Sequence, residues 1–331
     1  MANKRIYFFD NCKAILIFLV VFGHLVNIVD THLTQRIGIV IYFFHIPLFV
    51  FCSGYFASFN PRKIISKNLY PYIVFQTIYL VFATFIMAEN RVLQYTNPYW
   101  ILWYLFALSV WRMLLPFIDA KKKSNKLKIL IFLTIISFIV GFDNVTGYYL
   151  SLSRIIVFFP FFALSYYIKQ EFSFEKIIAF FQKKKVKIFS LCIFAVSLSV
   201  AIIFSVPETF DISWLYGALP YKKWHYSIWM RLWFLVTASS AIPLLFSFVT
   251  TKKCFLTTIG ERSIYVYLIH GFLIKLIIKF NFLSAVPYKT LFCLMLAVLM
   301  VYVLSRSYIV NIFKYLTDFD YVKSLFKRNR T

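Results

Sequence analysis

Acidic side chains are scarce in this sequence: Asp and Glu together number 12 in 331 residues, and charged residues of both signs make up only 15%. So few charges cannot cover a soluble surface when 61% of the residues are hydrophobic. The two soluble domains that the length alone would allow are therefore excluded. Cysteines number five, an odd count, and Cys12, Cys52, Cys192, Cys254 and Cys293 are scattered without paired or metal-ligand spacing. That excludes a disulfide framework or a zinc site and leaves packing within a helix bundle as their role. A surface module interleaving basic and aromatic residues, as nucleic-acid binding requires, is also missing, although Lys and Arg number 36 and the formal net charge is +24. No small-residue cleavage site follows the first apolar run, which Lys4 and Arg5 precede. That run is expected to target the chain and then remain as an anchor.

What the sequence has instead is apolar length. Phe alone contributes 41 residues, the mean hydropathy is +0.77, and apolar runs of about 18–22 residues recur along the chain, as bilayer-spanning helices require. The expectation is an all-α polytopic integral membrane protein, a single transmembrane domain over 1–331. Ten spans are expected, at 12–30, 37–58, 70–88, 99–118, 129–143, 152–168, 187–206, 229–250, 264–281 and 290–311. The fifth and sixth are short and are read as tilted or partly merged. Cations gather between the runs, as in Lys121-Lys122-Lys123, Lys183-Lys184-Lys185 and Lys252-Lys253, and in the tail at Lys327, Arg328 and Arg330. With the N-terminus inside, inner segments carry 25 of the 36 cations, and outer segments carry five: Arg36, Arg91, Lys222, Lys223 and Lys289. This bias predicts N-in and C-in, with anionic membrane lipid as a partner of the inner lysines. The longest inner loop, 169–187, alternates Phe and Ile with Lys and reads as an interfacial amphipathic helix. The longest outer loop, 207–227, holds Glu208, Asp211, Trp214, Tyr216, Tyr221, Trp224 and His225. A sugar-binding lip and an interfacial aromatic belt explain it equally well. No internal repeat is visible.

Ionisable groups inside spans cost about 2.5–3.5 kcal/mol each on insertion scales and usually mark function. In the first span, Lys13 and His24 lie eleven residues apart, which places them on one helix face about 16 Å apart along the axis. Asp10 sits one turn below Lys13 and Asn27 one turn above His24, so one wall of this helix is polar. A snorkelling lysine and a hydrogen-bonded packing histidine would explain such a wall alone. The second span shifts the balance, because Phe44-His45-Ile46-Pro47-Leu48 puts His45 at nearly the depth of His24 on an antiparallel neighbour. Pro47 is expected to break or kink that helix, and Ser53-Gly54 to serve close helix packing. Trp103, Tyr104 and Arg112 occupy the fourth span. Arg112 lies deep enough to need a partner or a polar cavity. Arg154 and Arg231, at outer helix ends, either line a site or snorkel outward. Tyr267 and His270, followed by Lys275 and Lys279, lie in the ninth span.

In this order the pieces resemble the acyltransferase-3 family of membrane proteins, in its branch of fucose 4-O-acetylase-like or polysaccharide O-acetyltransferases. The resemblance is carried by Phe9-Asp10-Asn11-Cys12-Lys13 through Val21-Phe22-Gly23-His24 and by the run from Phe43 to Phe56. Further along it rests on Leu102-Trp103-Tyr104-Leu105, on Phe159-Pro160-Phe161-Phe162, and on the run from Ile259 to His270. It implies a bacterial plasma-membrane enzyme that takes an acyl group from cytoplasmic acyl-CoA, acetyl-CoA in the simplest case, without a metal. The acceptor it implies is a sugar hydroxyl of a cell-surface polysaccharide or its lipid-linked precursor. Arginine is common in the family where this chain has Lys13. An Arg-x-x-Arg pair seen in some branches is replaced by Arg62, Lys63 and Lys67. The hydrolase-like domain fused to some members has no counterpart in the sequence, which favours direct transfer or a partner protein.

O-acylation needs a base for the hydroxyl proton and a group to hold oxyanion charge. His24 is the expected base. His45 orients the acceptor or shares the proton, and Asp10 and Lys13 fix the inner mouth. Arg62, Lys63, Lys67 and Arg112 are candidates for the CoA phosphates, although topology alone also explains the first three, and Arg112 is equally a candidate for the oxyanion. Trp103, Tyr104, Arg154, Tyr267 and His270 are candidates for the acceptor. The rival reading is a transporter or flippase of an acidic or lipid-linked sugar. A third reading is a non-catalytic partner in polysaccharide export.

Overall fold

The computed structural model describes residues 6–29, 31–204, 211–222, 226–284 and 286–328, and among them no strand occurs. The first half comprises α1 (Tyr7–Val26), α2 (His32–Tyr55), α3 (Pro61–Ile86), α4 (Trp100–Met113), α5 (Lys123–Phe142) and α6 (Tyr149–Glu171). Next come α7 (Phe174–Phe181), α8 (Lys184–Phe204), α9 (Ile228–Phe248), α10 (Phe255–Glu261) and α11 (Ser263–Lys279). The chain closes on α12 (Lys289–Leu304), α13 (Ser307–Thr317) and α14 (Phe319–Arg328).

Each of the ten apolar stretches falls on a helix. By length and composition, however, six helices of the described residues (α1, α2, α3, α5, α6 and α9) are able to cross a membrane. A seventh is added if α12 and α13, bent by 70° at their junction, form one span. The ninth stretch forms a helix of only 17 residues. The fifth and sixth stretches are neither short nor merged: α5 has 20 residues and the α6 span 23. Both extend past their apolar runs into charged turns, where the start of α5 and the end of α6 are joined by ion pairs from Lys126 and Lys123 to Glu171, at 2.8 and 3.3 Å. Hydropathy alone stops short of such charged turns.

α1 is the hub. It packs against α2, α10, α11 and α12, and 72% of its apolar window is buried, against 28% for α5, which faces outward. Two glycines permit the closest approaches. A Cβ on Gly54 would stand 2.3 Å from the Phe162 carbonyl oxygen of α6, and one on Gly260 would stand 1.7 Å from that of Asp10. Pro47 does not break α2, which runs through it as one helix. Loss of a single backbone bond is tolerated where neighbouring helices enclose the site. Thr31 caps the start of α2 in a reciprocal capping box with Thr34.

The N-terminal end of α1 is fastened by Asn11, which is fully buried. Its amide donates to the carbonyls of Thr250 and Lys252 at 2.9 and 3.0 Å, and its oxygen accepts from the Thr257 hydroxyl at 2.7 Å. Asn11→Ala removes all three bonds and strands the buried Thr257 hydroxyl, and a buried unsatisfied group costs about 1–3 kcal/mol. The expected result is a clear fall in the unfolding temperature of the detergent-solubilised protein; an unchanged one would deny the clamp. The inner loop at 169–187 becomes the last turn of α6, the short helix α7 and the start of α8. Ile177, Ile178 and Phe181 of α7 turn inward.

Candidate active site

A cavity of about 430 Å³ lies between α1, α2, α4, α6 and α11. Lys13 and Asn27 both line it, and their separation along α1 corresponds to about 21 Å of helix rise. From α11, Ser263 and Ile278 mark the same two ends. The cavity is therefore a slot running along the bundle axis, polar at both ends and aromatic between.

Three imidazoles gather toward the Asn27 end. His24, in the last turn of α1, lies 3.1 Å through Nδ1 from the Tyr42 hydroxyl. Its ring stacks on His270, with centroids 5.6 Å apart at 26°, and tilts against Trp100. His45 is buried, and its Nδ1 donates to the Ile41 carbonyl at 2.7 Å. His270 is buried as well, with Nδ1 donating to the Val266 carbonyl at 2.9 Å while Nε2 has no partner. A carbonyl only accepts, so in both of these the neutral ring carries its proton on Nδ1 and a lone pair on Nε2. His24 and His45 do not touch directly. Tyr42 stands between them, bonded to the first and 4.8 Å from the ring of the second. Among the described residues, no three His, Cys, Asp or Glu side chains come together in a metal-binding arrangement.

Three cations line the slot: Lys13, Lys275 and Arg154. Lys13 pairs with Asp10 at 3.3 Å, as their spacing predicts, and Asp10 itself is buried. Lys275 pairs with Glu89 at 3.0 Å. Burial alone would raise the Glu89 carboxyl, but hydrogen bonds from Lys275 and Arg91 outweigh it and hold the group below the ordinary carboxylate range. A depressed folded value contributes stability that is complete above the unfolded value, about 4.3 for a free Glu, and is lost as the pH falls through the folded one. Glu89→Gln is therefore expected to lower stability by at most about 1 kcal/mol at pH 7. The difference from wild type should close below pH 4, in thermal melts taken across that range. Arg154 has no carboxylate partner among the described residues. Its Nε donates to the Tyr216 carbonyl at 3.2 Å, and Trp103 and Tyr148 lie against the guanidinium at 5.1 and 4.9 Å.

The remaining sequence candidates divide. Trp103, Tyr104 and Tyr267 line the slot, but two of their hydroxyls are already engaged. That of Tyr104 meets Ser53 Oγ at 2.8 Å, and that of Tyr267 donates to the Ile101 carbonyl. Arg112, Arg62, Lys63 and Lys67 do not line it. Arg112 donates to Asn68 at 3.1 Å, from a π-helical turn that carries Asn68 under it. Arg62 pairs with Asp320 at 3.5 Å and Lys67 with Asp318, both acids coming from the far end of the chain. Arg231 does not snorkel. It is fully buried and bonds to Tyr226 and to the carbonyls of Ser137 and Leu219.

In the described part of the 207–227 loop, Trp214 is buried on Tyr226, Tyr221 bonds to the Phe138 carbonyl, and Tyr216 lines the slot. Glu208, Lys223, Trp224 and His225 lie outside the described residues. Tyr42 and Trp100 went unnoticed in the sequence. Tyr42 precedes His45 by three residues, so helical spacing alone puts the two on one face. Trp100 carries no comparable signal.

Comparison with known proteins gives two matches. Residues 6–311 match the acyltransferase domain of the third acyltransferase family. A segment of 62 residues is 47% identical to Nodulation protein NolL of Sinorhizobium fredii (strain NBRC 101917 / NGR234), and it spans 17% of this chain and 17% of that protein's length. No solved structure matches the chain.

Proposed function

The chain belongs to the acyltransferase-3 family and is a multi-pass membrane acyltransferase, and from that premise we propose that it moves an acyl group, acetyl in the simplest case, from acyl-CoA to a sugar hydroxyl. The acceptor is a cell-surface polysaccharide or its lipid-linked precursor, and the whole chain acts as one transmembrane unit of a bacterial plasma membrane. Ten crossings with both termini inside follow the charge bias. The observation that supports this best is the slot itself, which joins the Lys13 end of α1 to the imidazole cluster at the other end; with the N-terminus inside, the Lys13 end opens toward the side where acyl-CoA is made.

His24 takes the proton of the acceptor hydroxyl as its oxygen attacks the thioester carbon. Its Nε2 is the basic atom when Nδ1–H donates to the Tyr42 oxygen, an orientation that the 3.1 Å contact permits. His45, which lines the slot, presents its Nε2 lone pair and orients the acceptor, and His270 supports His24 by stacking on it. Trp103, Tyr104 and Tyr267 supply flat apolar surface for a sugar ring. Asp10 and Lys13 hold the donor end. Arg62, Lys63 and Lys67 take the CoA phosphates, the first and third by exchanging Asp320 and Asp318 for phosphate oxygens, and Arg112 supports them. The inner lysine clusters rest on anionic lipid.

The test is ester-linked acyl content of surface polysaccharide in the native host, compared between a deletion strain and its complemented form, with free thiol released from acetyl-CoA by the purified protein measured in parallel. Acyl loss on deletion together with thiol release supports the proposal. Unchanged acyl content and no thiol release would replace it with a transporter of the sugar.

A further inference from the structure

Of the three cations lining the slot, two are neutralised by carboxylates and one is not. Lys13 has Asp10 and Lys275 has Glu89, whereas Arg154 has only a carbonyl and two aromatic faces. A guanidinium turned into a cavity of 430 Å³ without a counter-charge is a poised site for negative charge, because low local polarity strengthens each interaction it makes. The Nε of Arg154 is engaged by Tyr216, and among the described residues its two Nη groups have no hydrogen-bond partner.

Its position adds to this. Arg154 lies in the first turns of α6, and Tyr216 ties it to the His24 end of α1. The Tyr216 carbonyl accepts from Arg154, its hydroxyl accepts from Asn27 at 3.1 Å, and its ring lies 5.3 Å from that of Tyr42, which bonds His24. Base and free cation thus face one volume through a shared tyrosine pair. Arg112, the sequence's alternative for this role, donates one Nη to Asn68 and does not line the slot.

We infer that Arg154 is the oxyanion-stabilising catalytic residue, its Nη groups donating to the thioester carbonyl oxygen of the acyl donor; this rests on the acyltransferase reading above. In the step, the acceptor oxygen forms a bond to the thioester carbon while its proton passes to His24. The carbonyl π pair moves onto the oxygen held by Arg154. As that pair returns, the C–S bond breaks, and the CoA sulfur leaves with the proton from the imidazolium. Ester and free thiol are the products, with nothing further consumed.

The experiment uses the full chain in lipid nanodiscs with acetyl-CoA, surface polysaccharide from the native-host deletion strain as acceptor, and thiol release as the readout. Arg154→Gln is expected to lower kcat by about 100-fold or more while the donor KM stays within about threefold. Arg154→Lys, which keeps the charge but loses the fork, should recover part of the loss. Both are checked for a monodisperse profile and a melting temperature near wild type. If the Gln variant does not fold, the Lys variant decides: a drop of about tenfold in kcat supports the role and wild-type kcat denies it. A kcat for Arg154→Gln within about threefold of wild type overturns the inference. So does a raised KM with kcat retained, which would make the guanidinium a ground-state binding group. Absence of thiol release by wild type would instead bring down the acyltransferase reading, and this inference with it.

Discussion

Replacing His24 by alanine is expected to abolish acyl transfer while leaving the protein in the membrane. Loss of a positioned general base typically costs about 10²–10⁴-fold in rate, and His24 is the imidazole best placed to serve. It is half-buried and open to the slot, whereas His45 and His270 are almost wholly enclosed. Its absence leaves a space that Trp100 and His270 border but cannot fill chemically. The fold does not depend on it: α1 is held at its N-terminal end by Asn11 and along its length by apolar packing. The measurement is thiol release from acetyl-CoA at matched expression and matched melting temperature, with His45→Ala and His270→Ala alongside. Wild-type rates in His24→Ala would move the base elsewhere. A His270→Ala variant that equals His24→Ala would show the stacked pair acting as one unit.

The second large effect concerns stability. Gly260→Val places a branched side chain where a Cβ alone would stand 1.7 Å from the Asp10 carbonyl oxygen. The obstacle is backbone, not a flexible side-chain end, so α10 must lift from α1 or α1 must shift. Either movement pulls on the Asn11 clamp and on the Asp10–Lys13 pair at that end of the slot. We expect a loss of about 3 kcal/mol or more, seen as a much lower unfolding temperature and poor recovery of monodisperse protein. Gly38→Ala is the control, because its nearest neighbour is the flexible end of Ile212 at 3.2 Å. Equal melting temperatures for Gly260→Val and wild type would mean that the close approach of α10 to α1 is wrong.

Much of the architecture is legible in the sequence because the bilayer imposes a one-dimensional rule. A helix that must bury its backbone in hydrocarbon announces itself as apolar length, and all ten apolar stretches fall on helices. The rule weakens where helices lean on protein instead of lipid. α4 and α11 are short, and α11 lines the slot with Tyr267 and Lys275. Within the site, local pairs are readable and distant ones are not. Asp10 with Lys13 follows from a three-residue spacing, and Tyr42 with His45 follows from the same spacing. The stacking of His270 on His24 joins residues far apart in the chain, and no periodicity encodes it. The same limit misassigns free charge. Arg62 and Lys67 look available until the fold brings Asp320 and Asp318 to them, whereas Arg154 looks like a snorkelling surface residue until Tyr216 holds it inside.

The slot draws its walls from both ends of the chain, and that gives the protein a timetable. When α1 leaves the ribosome, its lysine already has a mate one turn away, so that charge enters the bilayer escorted. The histidine waits for Tyr42 on the next helix. Arg154 gains its carbonyl only after Tyr216 is made, and the stacked imidazole comes last, with α11. A nascent chain that has inserted α1 and α2 therefore already holds His24 beside Tyr42 yet has no enclosed chamber around them. The chamber is completed in one late step, when α11 closes over groups installed long before.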